Sequence, residues 1–125
     1  MAGFSDYIEP FLLNAVFNNG AGSVPVITTV YVKLHIGDPG EAGTANPAAE
    51  TTRQAVTFAA AVGGSITSSG TVSWNNVSTT ETITYISFWD NSTAGNCLGT
   101  AQLNVAAALQ ASDDLDLTSI TFTLD

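Results

Sequence analysis

Val30, Val32, Leu34 and Ile36 alternate with Thr29, Tyr31, Lys33 and His35, a period of two that predicts a half-buried strand. On that reading His35 lies on the polar face, as an exposed or interface residue. Gly37-Asp38-Pro39-Gly40 ends the strand with turn chemistry. The next stretch, Glu41 to Thr52, has no period and predicts a long surface loop. Arg53 to Ala61 reads as a second strand, with Val56 and Phe58 on one face. Short strands follow around Ile66 and over Val72 and Trp74, separated by Gly63-Gly64 and Ser69-Gly70. Glu81 to Trp89 is the strongest strand. Its apolar residues fall on both faces, Ile83, Tyr85 and Trp89 on one and Ile86 and Phe88 on the other, so it is central and doubly covered. Asp90 to Asn96 is a turn, and Cys97 to Leu103 a further strand. Leu115 and Leu117 precede a last alternation of Ile120, Phe122 and Leu124, with a turn or bulge at Thr118-Ser119 to switch faces.

A different period opens the chain. Phe4, Ile8, Phe11/Leu12 and Ala15/Val16 recur at helical spacing and predict one amphipathic helix over residues 5–17. Ser5 and Asp6 suit its start, Pro10 fits only an opening turn, and Asn18-Asn19-Gly20 suits its end. The fold class expected is therefore all-β: an antiparallel β-sandwich of about seven or eight strands with one N-terminal helix. Residues 1–125 form a single domain, with 1–22 as a helical arm and 23–125 as the sandwich.

Composition then narrows the function. Eleven acids stand against Lys33 and Arg53, for a formal net charge of −9. Nucleic acid needs cationic neutralisation and an anionic membrane needs the same, so neither is an expected partner. Charged residues are only 10% of the chain, and outward strand positions carry Thr, Ser and Ala. Such a surface loses little side-chain entropy when a partner covers it. Self-association and docking on a larger protein are expected, with the Gly37–Thr52 loop as the contact. No apolar run reaches membrane-span length and the N-terminus has no basic signal-peptide region, so synthesis in the cytoplasm is expected.

Candidate chemistry is sparse. His35 is the sole histidine and Cys97 the sole cysteine, and neither GxSxG nor HExxH occurs. Asp113, Asp114 and Asp116 lack the glycine and terminal glutamate of an EF-hand loop and read as a solvated turn. No catalytic, cofactor-binding or metal residue is assigned, and no cofactor is expected. Cys97 reads as a small buried strand residue. Trp74, Trp89 and Tyr85 lie at inward strand positions, as core rather than as a sugar-stacking platform. Asn76-Val77-Ser78 and Asn91-Ser92-Thr93 match the glycosylation pattern but mark exposed turns.

Several runs also resemble a known family. They are Gly3-Phe4-Ser5-Asp6-Tyr7, the stretch from Tyr31-Val32-Lys33-Leu34-His35-Ile36-Gly37-Asp38-Pro39-Gly40 to Asn46, and Thr52-Arg53-Gln54-Ala55-Val56-Thr57-Phe58. Ile86-Ser87-Phe88-Trp89-Asp90 through Gly95-Asn96-Cys97-Leu98 and the closing alternation complete the set. Together they resemble small virion proteins of tailed bacteriophages, labelled phage tail fibre or minor tail proteins, over nearly the whole chain. Val105 to Asp113 departs from that pattern. The resemblance implies a non-enzymatic virion structural protein, either a tail-fibre component or a capsid decoration protein, made in the host bacterial cytoplasm. Its partners would be other virion proteins and copies of itself. The alternative is a carbohydrate-binding adhesion module for host recognition, which would show Trp74 and Trp89 on an exposed face.

Overall fold

The alternating segments pair as antiparallel strands in a computed structural model that describes residues 3–18 and 24–124. Among the described residues nine strands and one helix run in the order β1 Gly3–Phe4, α1 Glu9–Phe17, β2 Val30–His35, β3 Gln54–Val56, β4 Ser65–Thr67, β5 Val72–Trp74, β6 Glu81–Trp89, β7 Cys97–Leu109, β8 Leu115–Leu117 and β9 Thr121–Thr123. The expected all-β fold with an N-terminal helix is what the chain adopts. Five strands form the main sheet, in the order β1-β7-β6-β2-β3. Two ribbons, β4-β9 and β5-β8, make the second layer.

The core lies between these layers. Val32, Leu34, Ile83, Ile86 and Phe88 project from the main sheet and meet Val72, Trp74, Leu115 and Ile120. All nine are buried. At one end Phe58, Phe88 and Phe122 pack edge to face, with ring centroids 6.0 to 6.1 Å apart.

Four local departures from the sequence reading have physical causes. Ile83 shares the core with Ile86 and Phe88, and not the face of Tyr85 and Trp89, because the register slips between Ile83 and Tyr85. One unpaired residue, Thr84, reverses which side every earlier residue faces. The strand expected over Arg53–Ala61 is divided between layers. Gln54 to Val56 pair with β2, after which Ala59 N–H donates to Thr67 and Ser69 N–H to Thr57. Phe4 belongs to β1, paired with Gly99, and not to the helical stripe. The strand after Cys97 runs on to Leu109.

The helix begins late, with Pro10 in its first turn as its fixed φ requires. Its N-cap is Ile8, with no side-chain cap; the Ser5 hydroxyl instead donates to the Cys97 carbonyl. Asn18 N–H bonds the Asn14 carbonyl at the C-terminus. Asn19 and Gly20, expected to close the helix, lie outside the described residues.

Candidate functional site

The second face of the main sheet holds the chain's polar chemistry. His35 is not exposed: it is fully buried, because this face is covered as well. Residues 37–48 fold over it, and Gly43 approaches so closely that a Cβ there would strike the Cys97 sulfur and the Trp89 ring. The segment around Ser5 closes the other end, with Ser5 N–H donating to the Leu98 carbonyl.

Hydrogen bonding fixes the state of the imidazole. Trp89 Nε1–H can only donate, and it meets Ser87 Oγ at 2.7 Å. The Ala45 carbonyl can only accept, so His35 Nδ1 carries the hydrogen and donates to it at 2.9 Å, which leaves Nε2 of the neutral ring to accept from the Ser87 hydroxyl, 2.7 Å away. A neutral Nδ1–H tautomer satisfies every partner. Burial, foremost, holds the imidazole pKa below its ordinary value; Lys33 and Arg53 push the same way, against the Ala45 bond. A serine beside a histidine resembles a nucleophile with its base. Here the hydroxyl proton is committed to the ring, the ring's other nitrogen faces a carbonyl rather than an acid, and substrate has no access. The pair builds structure.

The only two long cations flank the same tryptophan. The Arg53 guanidinium stacks 4.0 Å from the Trp89 ring centroid, and Lys33 Nζ lies 5.9 Å away. Arg53 also donates to the Asn91 and Ala94 carbonyls, tying the β6–β7 turn to the start of β3. Cys97 is buried as expected, and burial pushes its thiol pKa up to about 11, so no reactive thiolate forms near neutrality. Trp74 and Trp89 are 1% and 6% exposed and stack on no open surface.

The aspartates cap the turn they occupy. Asp113 accepts from Gln110 N–H, Asp114 from Asn76 N–H and Asp116 from the Ser73 hydroxyl. Two carboxylates serve backbone N–H groups and the third a side-chain hydroxyl, each on a different segment, and nothing in that geometry converges on an ion. Addition of EDTA is expected to leave the melting temperature unchanged; a fall of many degrees would reveal a bound cation.

The Gly37–Thr52 loop is fixed by its own bonds. Ala48 N–H donates to the Leu34 carbonyl, Ala45 N–H to Pro39, and Glu81 accepts from Ala49 and Glu50 N–H. The loop is therefore ordered without a partner, and these bonds give no support to the contact expected there.

Two surfaces remain open. On α1 no residue is buried, and Leu13, Val16 and Phe17 are 58%, 71% and 82% exposed. With Leu12, Phe4 and Leu124 they border one apolar groove. The signal was present in the adjacent pairs Leu12-Leu13 and Val16-Phe17, which give the helix two stripes, one against the body and one free. The second surface is on β7, where the chain has no charged residue between Asp90 and Asp113. There β7 arches away from its neighbour and leaves an open cleft of about 380 Å³ against the β8–β9 connection.

Among the described residues the buried polar side chains are internally satisfied, and the two open surfaces are mainly apolar on α1 and uncharged on β7. No curated protein matches the chain. A family model described as podophage GP4 fiber I protein gp80 matches residues 3–125. Since that match spans the sandwich and the helix together, the chain belongs to the podophage GP4 fiber I protein gp80 family, a phage tail fibre-type family of structural proteins.

Proposed function

We propose that this chain is a non-enzymatic subunit of the phage tail, a fibre component that forms homo-oligomers and docks on a larger virion protein through the free face of α1. The reading takes residues 1–125 as one domain made in the host bacterial cytoplasm. The observation that carries it is that exposed apolar stripe. A nine-residue helix is marginal in water unless its apolar face is packed. Monomeric proteins rarely leave contiguous apolar patches uncovered, and those that exist mark contacts. Among the described residues Glu9 is the one acid bordering this groove, in a chain of net charge −9. The fibre family favours the tail over capsid decoration. Burial of Trp74 and Trp89 removes the feature that would favour a sugar-stacking adhesion module.

The test joins location to contact. Gold-labelled antibody against the protein is expected to mark the tail in negative-stain images, and labelling of the capsid shell would overturn the tail assignment. Phe17→Glu is expected to fold with a stability change within about 0.5 kcal/mol, as an exposed substitution should. Its incorporation into particles should fall at least about tenfold, since a charge in an apolar contact costs more than the ~1.4 kcal/mol that tenfold represents. Normal incorporation of the variant would eliminate the α1 face as the docking surface.

A further inference from the structure

We infer that copies of this chain join edge to edge through the β7 arch, Leu103 to Ala106, paired antiparallel with the same arch of a second copy. The inference deepens the homo-oligomer reading by naming the contact, and it rests on that reading.

The arch is a break in the ladder. Ile83 of β6 pairs with Ala107 and Tyr85 with Gln102, so Leu103, Asn104, Val105 and Ala106 face only Thr84 and have no strand partner there. On the other edge of β7, among the described residues, β1 pairs with Gly99 and Thr100 alone. The cleft beyond separates the arch from Leu117, Ser119 and Thr121 of the second layer. An extended segment thus offers main-chain donors and acceptors without a strand to take them, the template for strand addition.

What this edge lacks is as telling. Exposed edges are ordinarily protected by lysine, proline or an inward charge. The stretch from Asn91 to Ser112 contains none of these, and Val105 at the arch is 81% exposed.

Charge selects the occupant. A basic partner would be drawn to the acidic surface and would gain nothing from an uncharged edge. A second copy, carrying the same −9, can approach closely only where charge is missing. An antiparallel strand pair is self-complementary, so one patch serves both copies about a two-fold axis. In that arrangement the two Val105 side chains lie near one another.

That geometry supplies the experiment. Sedimentation velocity over a range of concentrations is run on the full chain, on Val105→Glu, on Val105→Lys and on an equimolar mixture of the two. Each variant alone is expected to associate about tenfold more weakly, because like charges meet across the axis. The mixture should recover association, because Glu then faces Lys. Amides of 103–106 in the wild-type protein should exchange hydrogen rapidly when dilute and slowly when concentrated. Should either variant unfold, Asn104→Glu with Asn104→Lys repeats the test at the neighbouring exposed position. A mixture that associates no better than its components overturns the proposal. So does loss of association in Phe17→Glu with both Val105 variants unaffected. A wild-type chain that stays monomeric at every concentration overturns it together with the homo-oligomer reading, while antibody labelling of the tail would still stand as the separate test of virion placement.

Discussion

Trp74→Ala is expected to cost about 3–5 kcal/mol of folding stability, the range for removing a large buried aromatic. Trp74 sits on β5 opposite Leu115 of β8 and is 1% exposed. Its ring joins the small β5-β8 ribbon to Val56 and Leu34 of the main sheet through one continuous core. The indole N–H also donates to the Thr52 carbonyl at 2.8 Å, fixing the chain where the long loop enters β3. Alanine leaves a cavity and orphans that carbonyl together. Trp74→Phe keeps most of the volume and loses only the donor, so about 1–2 kcal/mol is expected there. Domains of this kind hold only about 5–15 kcal/mol in all, and the alanine variant should unfold at a far lower urea concentration. A loss under about 1 kcal/mol would mean that the ribbon is not held by this core.

How much of this was legible in the sequence depended on what each residue's neighbours were. β2 could be read because alternation over six residues leaves few alternatives, and β6 because nine residues with apolar side chains on both faces suit only a doubly covered strand. Trp74 was read as core because it lies at an inward strand position, where a large aromatic packs best. His35 was misread for a physical reason. Alternation of apolar and polar residues separates two faces of a strand, but which of them meets solvent depends on what folds over the sheet later. Here residues 37–48, rich in Ala, Gly and Pro, cover the polar face, and no local pattern announces that. The slip at Thr84 was equally hidden, since Thr suits either a paired or an unpaired position. The arch on β7 had one visible sign, a run without charge, whose meaning emerges only when β7 is known to lie beside an open cleft.

The misread residue supports the second large effect. His35→Ala is expected to destabilise the fold by about 2–4 kcal/mol, through the cavity and through loss of both ring partners. Ser87 would keep the bond from Trp89 but lose the acceptor for its own proton, and the Ala45 carbonyl would lose its donor in a part-buried site. Protonation stresses the same network. A second ring proton would put a positive charge in a buried site, with Lys33 and Arg53 opposing it as well. The imidazole pKa therefore lies below its ordinary value of about 6.5 in the fold and near it in the unfolded chain. Between those two values the unfolded state binds a proton that the folded state does not, so stability rises with pH across the window. The neutral ring's contribution is fully present above about pH 6.5 and is lost progressively below it, until the folded ring itself protonates. Glu41 titrates in the opposite sense, since its hydrogen bond with Asp6 raises its carboxyl pKa, and it does so equally in a variant. His35→Gln keeps a polar group at the site without the titration. Urea midpoints measured from pH 7.5 down to 5.5 are expected to fall more steeply for the wild-type chain than for His35→Gln. Parallel curves for the two proteins would show that the imidazole is not held neutral by its burial, and a gain in stability for the wild type on acidification, absent from His35→Gln, would show that the fold favours the charged ring instead.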